Sequence, residues 1–364
     1  MPPHYIIVNR FMNLFTRISF DEGLELFRTS PLEKLQEVAN ILREQRYPDN
    51  KVTYVLDANP NYTNICKIDC TFCAFYRKPH SSDAFLLSFD EFRSLMQRYI
   101  ALGVKTVLLQ GGVHPSLGMD YLAEFVRITV KEFPSIHPHF FSAVEISHAA
   151  SVSGISNEKA LGMLWDAGQR TIPGGGAEIL SERVRKILSP KKIGPDGWIS
   201  FHKLAHCLGF RSTATMMFGH VENAHDILLH LEALRNAQDE VPGFYSFIPW
   251  SYKSGNTALG RKVPHQAPPE MYYRILAVAR IFLDNFDHIA ASWFGEGKEL
   301  GARGLHYGAD DFGGTIIDES VHRCTGWTLK SSEEEARAII ASEGFIPVER
   351  NTFYERIETP AHHP

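Results

Sequence analysis

Three cysteines within eight residues are the part of this sequence whose spacing most directly implies chemistry. Cys66, Cys70 and Cys73 form a C-x3-C-x2-C pattern. A [4Fe–4S] cube has four irons and is normally held by cysteine thiolates. Three thiolates from one short segment bind three corners of such a cube and leave the fourth iron open to another ligand. The spacing therefore predicts an open-iron cluster in this segment.

Two other interpretations of the cysteines stay open at this point. The first is a zinc site completed by His80 or His114, although structural zinc usually comes with paired C-x2-C spacings and the sequence has no second pair. The second is an electron carrier of the ferredoxin type, which needs a fourth thiolate and far less protein. The other cysteines, Cys207 and Cys324, are isolated in the sequence, and we expect them to be buried or incidental.

Composition limits the class of protein. The chain has 364 residues, 44% of them hydrophobic, which is enough apolar material for a large core. A formal net charge of −5 gives no basic surface, so nucleic acid is not expected as a partner. The sequence shows neither a signal peptide nor an apolar run of membrane-spanning length. Five cysteines do not form a disulfide framework, and we expect a cytoplasmic protein.

The elements that must position the cysteines alternate between strand-like and helix-like segments. Ser88 and Glu91 fit a capping box before the helical pattern that follows them. Strands are predicted at 52–57, 104–110, 136–145, 170–173, 211–218, 244–248, 288–293 and 308–312. Helices are predicted at 88–102, 119–133, 157–167, within 181–208, and at 223–239, 268–284 and 297–306. Eight successive strand–helix units over roughly 250 residues predict a TIM-type (βα)8 barrel.

The barrel pattern also predicts the domain organisation and the place of the chemistry. We expect a helical N-terminal extension over residues 1–50, the barrel over 51–326, and a helical tail over 327–364 packed on the barrel. Active sites of such barrels lie on the loops that follow the strands. The notable motifs fall on those loops and are expected to form one ring: 61–77, 111–115, 145–148, 173–178, 219–222 and 249–252.

Several motifs together resemble one enzyme family. The cysteine spacing, with the aromatic Phe72 before Cys73, matches the signature of the radical S-adenosylmethionine (SAM) superfamily. A wider set of motifs looks like the group of the menaquinone (futalosine) pathway, which also includes deazaflavin-forming enzymes. These motifs are NYTNIC, CTFCAFYR, LLQGG, PGGGAEIL, ATMMFGHVE, FIPW and ADDFGGT. Within the group, residues 52–77 and the FIPW segment favour the cyclic dehypoxanthinyl futalosine synthases over the aminofutalosine synthases. The resemblance covers about residues 15–355.

The resemblance implies a barrel of the radical SAM type, a [4Fe–4S] cluster on the three cysteines, and SAM bound at the open iron. It implies that Gln110, Gly111 and Gly112 meet the methionine end of SAM, where glycines allow a close backbone approach. A plain turn after a strand is the alternative. Glu145 and Glu178 are the expected partners of the SAM ribose or its cation, with a salt bridge at the barrel rim as the alternative for each.

The same resemblance implies a small-molecule substrate, dehypoxanthinyl futalosine, and an electron donor such as flavodoxin or ferredoxin. His220 and Glu222 follow the fifth strand, so either is expected to act as a base or to orient substrate hydroxyls, although a lone histidine is often structural. Phe247, Trp250 and Tyr252 are expected to wall a pocket for an aromatic substrate, and ordinary core packing explains them nearly as well.

Overall fold

A computed structural model of the chain describes residues 17–328 and 331–357. Within these ranges the strands run parallel and alternate with helices, as the sequence predicts. The strands of the barrel are β1 (Lys51–Val55), β2 (Asp57–Ala58), β3 (Thr106–Val107), β4 (His137–Pro138), β5 (Thr171–Ile172), β6 (Arg211–Phe218), β7 (Phe244–Ser251), β8 (His288–Ile289) and β9 (Asp311–Gly314). β1 and β2 are two halves of the first barrel strand, interrupted at Leu56.

Parallel pairing carries the strands around the barrel. β2 pairs with β3 and β3 with β4, while β5, β6, β7 and β8 form a second run. A bridge between Ala290 and Asp311 joins β8 to β9, and β9 pairs with β1. Between β4 and β5 side chains connect the strands: ring nitrogens of His137 and His139 each lie 2.8 Å from Thr171 Oγ1. The barrel predicted from the βα pattern is confirmed.

Helices surround the barrel, and most of them form where the apolar spacing predicts them. They are α1 (Phe20–Thr29), α2 (Leu32–Arg46), α3 (Phe89–Ala101), α4 (Met119–Glu132), α5 (Ala143–Val152), α6 (Asn157–Ala167), α7 (Glu182–Leu188), α8 (Pro195–Cys207), α9 (Ala224–Glu240), α10 (Pro269–Phe282), α11 (Trp293–Glu296), α12 (Lys298–Arg303) and α13 (Glu333–Ser342). Short 3₁₀ turns cover Gly304–Tyr307 and Arg323–Thr325.

The helix α3 illustrates why these segments are helical. Ser88 Oγ accepts a hydrogen bond from the Glu91 backbone N–H, and the Glu91 carboxylate accepts one from the Ser88 N–H at 2.8 Å. The predicted capping box is therefore present and satisfies donors that the helix itself leaves unpaired. Phe92, Met96 and Tyr99 lie on one face of the helix and are completely buried against the barrel.

Several predicted strands are shorter in the structure, among them 104–110 and 288–293, and two further boundaries near the site are wrong. The strand expected over 136–145 is only β4, and Glu145 lies in the first turn of α5 rather than on a loop. A second capping box explains this: the Glu145 carboxylate accepts hydrogen bonds from the backbone N–H and hydroxyl of Ser142, which starts the helix. The segment 249–252 is likewise no loop, because β7 extends to Ser251.

The C-terminal tail contains more than the expected helix. After α13, the strand β10 (Ile346–Glu349) pairs in parallel with β1, with Lys51 opposite Ile346 and Tyr54 opposite Glu349. The tail is therefore built into the sheet. Residues 1–16 of the expected extension, and 329–330 and 358–364 of the expected tail, lie outside the described residues.

The tail also closes one end of the barrel. Arg350 forms a bidentate ion pair with Asp311, at the start of β9. The Tyr354 hydroxyl donates to Ser246 Oγ at 2.7 Å, and its ring stacks on His288 with 3.9 Å between ring centroids. These partners lie near the starts of their strands, so the tail covers the end opposite the loops that carry the motifs. In the described parts of the chain, no helix has the length and apolar character needed to cross a membrane.

Candidate active site

The three clustered cysteines line a cavity of about 390 Å³ inside the barrel. They lie on the long loop that leaves β2, and two backbone hydrogen bonds fold this loop back on itself. Cys66 N–H donates to the Arg77 carbonyl at 3.0 Å, and Arg77 N–H donates to the Asn64 carbonyl at 2.7 Å. The Arg77 guanidinium donates to the carbonyls of residues 74, 75 and 76 and so holds the segment that follows Cys73.

The sulfur of Cys66 already has the surroundings of a cluster ligand. It accepts backbone N–H groups from Ile68 at 3.3 Å and from Val113 at 3.2 Å. N–H groups directed at sulfur stabilise the thiolate and tune iron–sulfur clusters. Burial raises the pKa of Cys66, and it raises that of Cys70 to about 12, whereas metal binding requires the deprotonated thiolates.

The positions of the three cysteines are compatible with a cluster. Among residues 17–328 and 331–357, no three His, Cys, Asp or Glu side chains are placed to hold one metal ion. Ligands of a cube each bind a different iron and therefore need not converge on one point. His114, a candidate fourth zinc ligand, uses its Nδ1 to accept the Ser116 N–H at 3.2 Å. The residues present therefore fit a [4Fe–4S] cluster.

Gly111 and Gly112 lie where the loop after β3 meets the cysteine loop. A β-carbon on Gly112 would overlap the Ile65 carbonyl, and one on Gly111 would come within 2.9 Å of the Thr63 carbonyl oxygen. Gly112 N–H donates to that same Thr63 carbonyl at 2.7 Å. The two glycines therefore allow the loops to touch. Both also line the cavity, as the resemblance implies.

Gln110 and Phe72 also line the cavity, as expected. The Gln110 side-chain amide faces the triple-glycine loop, because a β-carbon on Gly175 would lie 2.5 Å from its nitrogen. The glycine loops after β3 and β5 are therefore brought together across the cavity. Phe72 is half-buried, with the Lys192 ammonium 5.6 Å from the centre of its ring.

Glu145 reaches the cavity wall, but its oxygens are used by the protein. One accepts the Gly111 N–H at 2.9 Å, and the other accepts both donors of Ser142. Burial raises the pKa of this carboxyl, and the hydrogen bonds oppose the shift. Glu145 thus ties the loop after β3 to the start of α5. These contacts indicate that it positions this loop, and its expected contact with a ribose stays a prediction.

Glu178 has two cations of its own. Its carboxylate pairs with Arg185 through one oxygen and with Lys192 through the other, at 2.6 Å for the latter. Burial alone would raise the pKa of Glu178, but the charges of Lys192 and Arg185 hold it below its ordinary value. Glu178 also lines the cavity, so its expected contact with SAM stays a prediction, although its charge is already matched within the protein.

The three side chains together, which we call the Glu178 triad, leave one net positive charge beside the cysteines. Two cations and one carboxylate are buried together, and Lys192 lines the cavity near Cys70. A [4Fe–4S]²⁺ cube with three thiolates carries a net charge of about −1, which such a charge complements. Sequence reasoning missed Lys192, although its position after the PGGGAE motif is visible in the sequence.

His220 and Glu222 do not reach the cavity. The Glu222 carboxylate accepts the backbone N–H of Gly219 and that of His220, and it lies 2.8 Å from His220 Nδ1. His220 Nε2 lies 2.9 Å from the Met217 carbonyl. Both side chains are almost completely buried within the turn after β6, and neither lines the cavity. The expectation that they are catalytic is corrected: they hold this turn in place.

The remaining wall of the cavity is aromatic on one side and polar at the closed end. Trp250 lines it as expected, whereas Phe247 and Tyr252 are buried in the core. Trp293 and Phe294 complete the aromatic side. The closed end carries polar groups from the strand starts and from the tail, which sequence reasoning missed: Asp57, His139, Tyr245, Asp311, Arg350 and Tyr354.

Comparison with known proteins agrees with this site. The model of the radical SAM superfamily matches residues 60–234, and that of the CofH/MqnC C-terminal region matches residues 241–363. The methylornithine synthase PylB has a similar fold, with a TM-score of 0.73 at 15% identity over 93% of this chain and 97% of that one. The hydrogenase maturase HydG gives 0.74 at 16% identity over 95% and 76%.

Curated relatives fall into three activities. A cyclic dehypoxanthine futalosine synthase of Streptomyces coelicolor is 37% identical over 96% of this chain and 88% of its own length. An aminodeoxyfutalosine synthase of Thermus thermophilus is 35% identical over 94% and 92%. A 5-amino-6-(D-ribitylamino)uracil–L-tyrosine 4-hydroxyphenyl transferase of Methanoculleus marisnigri is 39% identical over 93% and 94%. Because these matches run along nearly the whole chain and include the cluster loop, this protein belongs to the radical SAM superfamily, in the group of the cyclic dehypoxanthine futalosine synthases and their relatives.

Proposed function

We propose that this enzyme converts dehypoxanthinyl futalosine to its cyclic form in menaquinone biosynthesis. Enzymes of the superfamily use a [4Fe–4S] cluster and SAM, which supply a 5′-deoxyadenosyl radical when both are bound. The observation that carries the proposal is the cavity: the clustered cysteines and an aromatic wall face one space inside the barrel. A substrate that bears a benzoate on a sugar suits such a wall, and a bound substrate held inside the barrel is kept from other hydrogen donors.

Each part of the cavity has a role in this proposal. Cys66, Cys70 and Cys73 hold the cluster, and Phe72, Gln110, Gly111 and Gly112 border the cofactor. Lys192 adds a positive charge on that side. Trp250, Trp293 and Phe294 pack against the benzoate, and the tail excludes water from the closed end. Reduction of the cluster requires an electron donor of the flavodoxin or ferredoxin class, and we propose that the enzyme works in the cytoplasm.

In the proposed reaction, the sugar C4′ loses its hydrogen atom and then bonds to the aromatic ring. The ring carbon afterwards loses one proton and one electron and becomes aromatic again. Substrate deuterated at C4′ is therefore expected to yield 5′-deoxyadenosine heavier by one mass unit, together with cyclised product, as measured by mass spectrometry. Unlabelled 5′-deoxyadenosine formed alongside labelled cyclised product would contradict abstraction at this carbon.

The two other activities among the relatives give different products. An aminofutalosine synthase incorporates the adenosyl group into its product, whereas the cyclase releases free 5′-deoxyadenosine. Anaerobic incubation of the reduced enzyme with SAM and each candidate substrate, followed by product identification, separates these activities. A mixture of tyrosine and 5-amino-6-(D-ribitylamino)uracil tests for the 4-hydroxyphenyl transferase activity. The proposal is supported if dehypoxanthinyl futalosine is the one substrate that is converted and gives the cyclised product. It is refuted if the enzyme converts only one of the other substrates.

The position of His220 leads to a prediction about stability. His220→Ala removes a buried partner of Glu222 and is expected to lower the free energy of unfolding by about 1–3 kcal/mol. The ratio of cyclised product to 5′-deoxyadenosine should stay that of the wild type, because the side chain is outside the cavity. Urea unfolding and product ratios measured on one preparation test both parts. A changed ratio in a stably folded variant would return His220 to the catalytic machinery.

A further inference from the structure

The first strand of the barrel places polar side chains at several depths of the cavity. Val55, Asp57, Asn59 and Asn61 all line it, as expected where every second residue of an extended segment faces the same side. Residues four apart in such a segment are separated by about 13 Å along the strand. Asp57 therefore lies well below Asn61, on the segment that leads to Cys66 at the open end.

Asp57 lies inside the barrel and yet keeps accessible surface. It is only partly buried, and the surface that remains faces the cavity. One carboxylate oxygen accepts the Ile316 N–H at 2.7 Å. In the orientation of the Asn59 side-chain amide that satisfies both its oxygen and its nitrogen, the amide nitrogen donates to the other carboxylate oxygen at 3.2 Å. A β-carbon on Gly314 would overlap the carboxylate, so the Gly314 backbone packs closely against it.

The charges around Asp57 leave it without a cation of its own. Arg350 and Asp311 face it, but they form a bidentate pair with each other. Burial raises the pKa of Asp57 to about 6; the Ile316 N–H and Arg350 oppose this shift, and Asp311 adds to it. A carboxylate with a pKa near the working pH is well suited to accept a proton and release it again.

The other carboxylates that line the cavity within the described residues are engaged elsewhere. Glu145 caps α5 and Glu178 is paired with two cations. Asp311 is paired with Arg350, and Glu319 accepts the backbone N–H of His322 with both oxygens. Asp57 has one backbone N–H and one neutral amide as its partners. Of these five carboxylates it is the one best placed to serve a ligand.

We propose that Asp57 is the catalytic base that accepts the aromatic proton after ring closure. The inference rests on the proposed cyclisation. Once C4′ has bonded to the ring, the C–H bond of that ring carbon breaks. Its proton goes to a carboxylate oxygen of Asp57, and the remaining electron is passed to a one-electron acceptor, a role that the oxidised cluster would fill if held by Cys66, Cys70 and Cys73. Aromaticity is restored, and Asp57 returns its proton to water on product release.

The test is the variant Asp57→Asn, which keeps the size of the side chain and an oxygen for the Ile316 N–H but cannot accept the proton. Cluster content, substrate binding measured by calorimetry, and 5′-deoxyadenosine formation should stay near the wild type. Cyclised product per 5′-deoxyadenosine should fall by about 100-fold or more, the usual contribution of a general base. Asp49→Asn is the matched control, since Asp49 lies before the same strand in an exposed pair with Arg356.

Chemical rescue separates a base from a structural carboxylate. Formate added to Asp57→Gly should restore cyclised product, and the conservative Asp57→Glu should retain part of it. In the wild type, product per 5′-deoxyadenosine should fall as the pH is lowered through about 6, because the carboxylate becomes protonated. This measurement applies even if the variants fold poorly.

Three results would overturn the assignment. The first is an Asp57→Asn variant that forms as much cyclised product per 5′-deoxyadenosine as the wild type. The second is a wild-type enzyme in which this ratio does not change between pH 5.5 and 8. The third is a folded Asp57→Gly variant in which formate does not restore cyclised product. Failure of the proposed function looks different: the wild type itself would give no cyclised product from dehypoxanthinyl futalosine, and Asp57 would then lose its role together with that reaction.

Discussion

Alanine in place of Cys66, Cys70 or Cys73 is expected to abolish the EPR signal of the reduced cluster in SAM-bound enzyme. Each thiolate binds one corner of the cube, and a second open corner leaves the cluster exposed to loss. Cys66 should be the most sensitive position, because two backbone N–H groups are already directed at its sulfur. Iron and sulfide analysis of each reconstituted variant, together with EPR after dithionite reduction, measures the effect.

The two other cysteines provide the controls. Cys207 is exposed at the end of α8, and Cys324 is exposed in the turn Arg323–Thr325, so neither is buried and only the incidental role remains of the two expected ones. Cys324 is the stricter control: partial burial of its thiol raises its pKa, and Arg77 and Cys73 of the cysteine loop also act on it electrostatically. Cys207→Ala and Cys324→Ala should both keep the cluster signal. Loss of the signal in either variant would contradict the assignment of the three ligands.

Glu178→Gln is expected to destabilise the whole protein, because it leaves Arg185 and Lys192 buried without their shared carboxylate. Removing one member of a buried ion pair typically costs about 3–5 kcal/mol. The Glu178 side chain is 5% exposed and that of Arg185 is 3% exposed, so water cannot replace the lost partner. Urea unfolding, followed by far-UV circular dichroism in the apo-protein and in the reconstituted enzyme, gives the change in the free energy of unfolding.

A surface pair gives the comparison for Glu178. Glu240 pairs with Lys203 but is 60% exposed, so Glu240→Gln should change the free energy of unfolding by less than about 1 kcal/mol. If Glu178→Gln unfolded like the wild type while its affinity for SAM fell, the carboxylate would serve the cofactor directly, and the structural role assigned to the Glu178 triad would be wrong.

Local features of the sequence were sufficient for much of the fold. The capping box at Ser88 and Glu91 sets the start of α3, and the apolar periodicity places most of the helices within a few residues of their observed bounds. β6 begins and ends at the predicted residues. These signals lie within one turn of helix or one strand, so a single segment contains all the information needed to recognise them.

The sequence did not show which groups the candidate side chains contact. Glu178 and Glu145 follow glycine-rich or strand-like segments in the way that ligand residues do. Their oxygens nevertheless meet Lys192 and the Gly111 N–H, which are 14 and 34 residues away. His220 stands at a strand end on the expected rim and still turns away from the cavity, since Glu222 and the Met217 carbonyl hold its ring.

The sequence by itself determined the family and the barrel and predicted the cluster cysteines, because each is encoded in short-range spacing and in the order of strands and helices. Only the tertiary structure decided which polar groups face the cavity and what closes it. The strand β10 pairs with β1 across almost 300 residues, and this pairing brings Arg350 to Asp311. Burial inside the barrel likewise raises the pKa of Asp57. Such properties depend on contacts between distant segments, which no local pattern encodes.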